Sequence, residues 1–184
     1  MPDATASNPT TDTDATRSVV RIQIGGPIEA VWEEITRTDD VIPCFFNMRM
    51  HYQNLAPGEK MSMRSKDGKH TGVVGEILEV DPPRRFAHTF RFTKGDEPPV
   101  RVIYDLREHD GGTEFTITLE DLVPGSKMAK EMIGGYKLIT STLKSCIETG
   151  KPSLGVRMLF VVFSLTAPLT PKRCRTEHWR EWGG

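Results

Sequence analysis

Acid–base chemistry near neutral pH calls first for histidine, and the chain has five: His51, His70, His88, His109 and His178. Of these, His88 lies in the run RFAHTFRFT, where every second residue takes the opposite face of an extended strand. Alternation groups Phe86, His88, Phe90 and Phe92 on one side, with Arg85, Ala87, Thr89, Arg91 and Thr93 on the other. A histidine turned into an apolar space beside Tyr52 and Tyr104 has the make-up of a general acid or base toward a bound carbonyl. A lone inward histidine is more often a core residue whose ring nitrogens are simply satisfied, so the chain is not expected to be an enzyme. His51, between Met50 and Tyr52, turns outward by the same alternation, and His70 sits beside a hairpin.

Other chemistries find little footing. Cys44, Cys146 and Cys174 are odd in number, far apart and in no CxxC or Cys/His spacing, so neither a disulfide framework nor a metal site is expected. No GxGxxG, GxxxxGK or HExxH occurs, and no cofactor is implied. Twenty-four Lys and Arg against 25 Asp and Glu leave a formal charge of -1, so no global field recruits nucleic acid. Residues 1–17, MPDATASNPTTDTDATR, have no apolar core of a secretory signal and read as a disordered tail, which favours a cytoplasmic location.

The elements that must position His88 follow from the hydrophobic period. SVVRIQI (18 to 24) alternates as a half-buried strand. GPIEAVWEEIT then shifts to helical spacing, with Ile28, Val31, Trp32 and Ile35 on one stripe and Pro27 at its first position. A second short helix is expected through VIPCFF, limited by Pro43. From 47 to 121 strands follow one another: NMRMHYQNL, KMSMRSK, GKHTGVVGEILEV, RFAHTFRFT, VRVIYDLRE and TEFTITLED. Asp67-Gly68 reads as a type I′ hairpin turn, and Asp110-Gly111-Gly112 marks another. KMAKEMIGGYKLITSTLKSCIET (127 to 149) is a long amphipathic helix closed by Gly150 and Pro152, with Gly134 and Gly135 inside it pointing to close contact or a bend. Residues 154–169, LGVRMLFVVFSLTAPL, form a further helix, apolar nearly all round and followed by Lys172, Arg173, Arg175 and Arg180.

Alternation lists the inward faces of the neighbouring strands: Met48, Met50 and Tyr52; Met61 and Met63; Val100, Val102, Tyr104 and Leu106; Phe115, Ile117 and Leu119. Together they outline an apolar concavity. Four methionines on two adjacent strands suit either an irregular core or a permissive binding surface, because the unbranched thioether adapts its shape. Glu76 and Glu79 read as exposed, and Arg101 with Asp105 as a solvated pair on the outer face.

This order of elements resembles the START-like (SRPBCC) superfamily with the helix-grip fold, in particular the branch named for the activator of the heat-shock chaperone ATPase. The match is carried by "GPIEAVWEEIT", "GVVGEILEVDPPRRFAHTFRF", "GGTEFTITLEDL" and "GGYKLITSTLKSCIETGKP", across residues 18 to 152. Tyr136 stands where relatives commonly carry Trp, and VIPCFF where a tryptophan-rich stretch is common. The resemblance implies an α+β helix-grip domain of order βααββββββα: a seven-stranded curved antiparallel sheet wrapped around the long C-terminal helix, plus an extra C-terminal helix.

The domain then covers 18–152, after a disordered tail at 1–17 and before an apolar helical extension and basic tail at 153–184. The resemblance further implies a hydrophobic small-molecule ligand, lipid or polyketide-like, held between sheet and helix. Met132, Tyr136 and Ile139 would face it from the helix, opposite Met48, Met50, Tyr52, Met61, Met63, His88, Phe90, Tyr104 and Phe115. The alternatives are a co-chaperone that stimulates a heat-shock chaperone ATPase and a cyclase or dehydratase using His88. Packing against the domain or a homodimer through 154–169 is the expected role of the extension, in preference to membrane association.

Overall fold

A computed structural model describes residues 8–166 and 170–183. Residues 1–7 of the expected tail, 167–169 of the expected apolar helix and Gly184 lie outside the described residues. The element order is β1 (Thr10–Thr13), β2 (Ser18–Ile24), α1 (Ile28–Thr36), a 3-10 turn (Pro43–Phe45), β3 (Arg49–His51), β4 (Lys60–Arg64), β5 (Thr71–Asp81), β6 (Arg85–Phe92), β7 (Val100–His109), β8 (Gly112–Glu120), α2 (Lys127–Thr149) and α3 (Leu154–Thr166). The described strands form one antiparallel sheet in the order β1-β2-β8-β7-β6-β5-β4-β3. This is the α+β helix-grip architecture, a curved sheet with a long helix against it.

The sheet departs from the expected seven strands by one. Thr10–Thr13, within the segment read as a disordered tail, pairs with β2 from Thr10↔Arg21 to Thr13↔Ser18. All four of its residues are exposed, so backbone hydrogen bonding holds it, and an apolar period has no reason to announce it. The expected second helix is a single 3-10 turn, because Pro43 opens it and Phe46 and Asn47 both adopt positive φ, at 58° and 56°. The turn at Asp67-Gly68 is not type I′, since only Gly68 has positive φ; at the next hairpin Asp110 and Gly111 both do, at 48° and 72°, between the paired His109 and Gly112.

α2 is capped as its sequence asks. The Ser126 hydroxyl accepts a hydrogen bond from the Ala129 amide, and Gly150, at φ 75°, donates its amide to the Cys146 carbonyl. Its buried stripe, Met128, Met132, Tyr136, Ile139 and Leu143, joins the inward residues of the sheet in one core with Val31 and Ile35 of α1. The two helix glycines differ. A Cβ on Gly135 would meet the Phe46 ring at 3.6 Å, whereas Gly134 faces open space, so close contact accounts for neither as a steric necessity.

After α3 the chain returns to the outer face of the sheet as a strap. The carbonyl of Trp182 accepts from the Ser62 hydroxyl (2.9 Å) and the Arg64 guanidinium (2.6 Å), and Thr176 donates its amide to the Lys69 carbonyl (2.9 Å). Ser62, on the solvent side of β4, is thereby fully buried. The expected Arg101–Asp105 pair does not form: Arg101 pairs with Glu120, and Asp105 with Arg85 across the strands.

Candidate functional site

The register of the sheet assembles the candidate residues. β6 pairs with β7 at Phe86↔Tyr104 and His88↔Val102, and β7 with β8 at Tyr104↔Ile117 and Leu106↔Phe115, which sets His88, Tyr104 and Phe115 on one face of three adjacent strands. β3, β4 and β5 bring Met50 opposite Met63 and Met63 opposite Val73. α2 lays Met132, Tyr136 and Ile139 over them.

All twelve candidates belong to the same core or lie directly against it. Met50, Met61, Met63, His88, Phe90, Tyr104, Phe115, Met132, Tyr136 and Ile139 are buried, while Met48 and Tyr52 are partly so. Their rings are in contact. Tyr104 stacks between Phe86 (centroids 5.7 Å apart, planes at 15°) and Phe115 (5.9 Å, 12°), and Phe90 meets Tyr136 edge-on at 6.4 Å. The side chains expected to line the concavity are thus packed against one another. Two surface clefts, of about 310 and 480 Å³, are lined by none of the twelve: one lies among Arg84, Arg85, Asp105 and Glu114, the other between Pro27 and the β7–β8 turn.

A short polar chain runs through this apolar interior. The Nδ1 of His88 lies 2.8 Å from the Thr89 carbonyl, which can only accept, so Nδ1 carries the proton and Nε2 is left as an acceptor. The Tyr104 hydroxyl is 3.4 Å from Nε2, and the Tyr136 hydroxyl interacts with that of Tyr104 in turn. Burial drives the His88 pKa down from 6.5 to about 4, partly offset by the Thr89 hydrogen bond, so the ring is neutral at pH 7. Burial raises both tyrosines above their usual range. Tyr52 is not part of the chain, as its hydroxyl donates to the Thr36 carbonyl at the end of α1.

Two contributors escape the sequence reading. Phe45, fully buried in the 3-10 turn, leans on Tyr104 at 6.1 Å, and Trp32 of α1 meets Phe86 edge-on at 6.5 Å. The adjacent Phe45-Phe46 pair was the available signal, but a single irregular turn has no period to say which ring goes inward. Among the described residues no three His, Cys, Asp or Glu side chains converge as a metal site would require.

A curved antiparallel sheet closed by a long C-terminal helix, with a mixed aromatic and methionine interior between them, defines a START-like domain of helix-grip type. The chain belongs to the family described as Activator of Hsp90 ATPase homolog 1-like protein, whose model matches residues 26–148. Among solved structures, CalU16 from Micromonospora echinospora is similar at 17% identity and TM-score 0.58, over 87% of this chain and 94% of that one. The Aha1 dimer from Colwellia psychrerythraea is similar at 15% identity and TM-score 0.60, over 73% and 98%. DynU16, from the dynemicin biosynthetic locus, gives 19% identity and TM-score 0.59, over 76% of this chain and 49% of that one. No protein of curated function matches the chain significantly.

Proposed function

We propose that the chain binds a hydrophobic small molecule between the sheet and α2. The observation that carries this reading is the His88–Tyr104–Tyr136 chain. Three polar groups in an otherwise apolar core each lose solvation on burial, and the 3.4 Å His88–Tyr104 separation is too long for a full hydrogen bond. A ligand carrying one carbonyl or hydroxyl would meet that need, anchored by Tyr104 and Tyr136 while Met50, Met61, Met63 and Met132 yield to its apolar body. The apolar lining favours a lipid-like or polyketide-like compound over a charged metabolite. A cytoplasmic location is part of this reading.

Titration with a neutral apolar fluorophore tests it. Saturable one-to-one uptake is expected, weakened by about tenfold or more in Met132→Trp, whose larger side chain takes up the ligand's space while the far-ultraviolet circular dichroism stays unchanged. Absence of saturable uptake by the native chain overturns the reading. A cyclase or dehydratase finds less support, because the ring of His88 has no exposure to solvent and its Nδ1 is tied to the Thr89 carbonyl. Stimulation of a heat-shock chaperone ATPase has the family description as its support; an ATPase assay with and without the chain decides it, and an unchanged rate removes it.

A further inference from the structure

The feature that the interior leaves unused is α3. Its residues Leu154, Met158, Val161 and Val162, at spacings of four, three and one, fall on one helical stripe and are 74%, 71%, 59% and 53% exposed. Val156, on the other side, is buried, and Phe163 leans on Phe46 at 6.2 Å. The helix thus has an inner face seated on the domain and an apolar outer face turned to solvent. No described helix is long and apolar enough to cross a membrane, and the 13 residues of α3 reach only about 20 Å against a hydrocarbon core of about 30 Å.

The charge on α3 and just before it is one-sided, in Lys151 and Arg157, while the later cations of the segment belong to the strap on the outer face of the sheet. Between Glu148 and Glu177 the sequence has Lys151, Arg157, Lys172, Arg173 and Arg175 and no carboxylate, in a chain whose formal charge is -1. Arg173 pairs with Asp96 and Arg175 with Glu177. Lys151, Arg157 and Lys172 enter no ion pair among the described residues. A two-fold pairing of α3 with itself would set this cationic segment against its own copy with no acid in the segment to answer it. An anionic lipid surface answers both properties at once: headgroup charge for the cations and acyl chains for the stripe.

We propose that α3 is a docking surface for anionic membranes, lying in the headgroup plane with Leu154, Met158, Val161 and Val162 inserted and Lys151 and Arg157 at the phosphate level. This departs from the expectation that the extension packs on the domain or serves a homodimer in preference to a membrane. It rests on α3 and not on the interior, so it stands or falls separately from the ligand reading.

Flotation of the full chain with phosphatidylcholine vesicles, with and without about 30 mol% phosphatidylserine, tests it. Binding to the anionic vesicles is expected, reduced by raised salt and nearly absent on phosphatidylcholine alone. Replacing Lys151 and Arg157 together by Gln is expected to weaken it on the order of 25-fold, about fivefold per charge. Met158→Asp with Val162→Asp, both at exposed positions, is expected to abolish flotation with unchanged circular dichroism. No flotation with the anionic vesicles overturns the proposal. So does flotation that the double Asp variant leaves intact, or a dimer in light scattering that the same variant dissociates, which assigns the stripe to a second copy.

Discussion

Tyr104 meets His88 and Phe115 on opposite sides of the same strand row: its ring lies flat against Phe115 at 5.9 Å and its hydroxyl points at the His88 Nε2, 3.4 Å away. One tyrosine thus ties the apolar stack to the buried imidazole. The imidazole is held in one tautomer by the Thr89 carbonyl, and its neutrality is a condition of the fold.

That condition has a pH signature. Because the folded pKa of His88 lies near 4 and an unfolded histidine titrates near 6.5, the unfolded chain takes up the proton first as pH falls. Stability contributed by the neutral ring is complete above pH 6.5 and is lost between 6.5 and 4, by about 3 kcal/mol in all. Urea unfolding at pH 7 and pH 4.5 should show this loss in the native chain, and His88→Phe should lack most of it. Equal slopes in the two proteins would assign the acid sensitivity to other groups.

The two glycines of opposite surroundings give opposite signs. Gly134 sits inside α2 with open space where a Cβ would go, so Gly134→Ala should raise stability by about 0.5–1 kcal/mol through helix propensity alone. On Gly75, in β5, a Cβ would run into the Thr89 backbone carbonyl of β6, and Gly75→Ala should cost about 3 kcal/mol. Thermal unfolding of the pair separates them by direction, and a stabilised Gly75→Ala would show that the two strands can part there.

Met61 has no exposed surface and faces the core between β3 and β5. Met61→Ala should cost about 2–5 kcal/mol by leaving a void, whereas Met61→Leu, close in volume, should cost less than about 1.5 kcal/mol. Chemical denaturation measures both. A mild Met61→Ala would mean that its neighbours collapse into the space, the same compliance that ligand entry requires.

The C-terminal strap should behave as part of the domain. Ending the chain at Thr170 removes the Trp182 carbonyl that accepts from Ser62 and Arg64 and the Trp179 ring against the Arg91 guanidinium. Leaving Ser62 without its acceptor and uncovering the outer face of β4 and β5 should lower stability by about 2–4 kcal/mol. An unchanged urea midpoint would make the strap an ornament of the surface.

What the sequence decided by itself is the set of elements with a period. The inward faces read from RFAHTFRFT and VRVIYDLRE, helical spacing from Met128 to Leu143, and Ser126 and Gly150 at its ends all reappear in the structure, because local geometry fixes which face a side chain takes. Elements without an apolar period left no such trace: Thr10–Thr13 pairs with β2 through its main chain, and the strap to Trp182 is tied by single hydrogen bonds, ion pairs and ring contacts to residues far away in the chain. Nor does alternation say how far apart two facing surfaces lie. It put His88 and Tyr104 on one face of the sheet, and the family resemblance set Tyr136 opposite them, but neither could tell a space that holds a guest from one its own side chains fill, nor send the Tyr52 hydroxyl to Thr36 instead of His88. Those outcomes depend on the separation of α2 from the sheet, which is set by the summed volumes of residues distant in the chain and exists only once they have closed together.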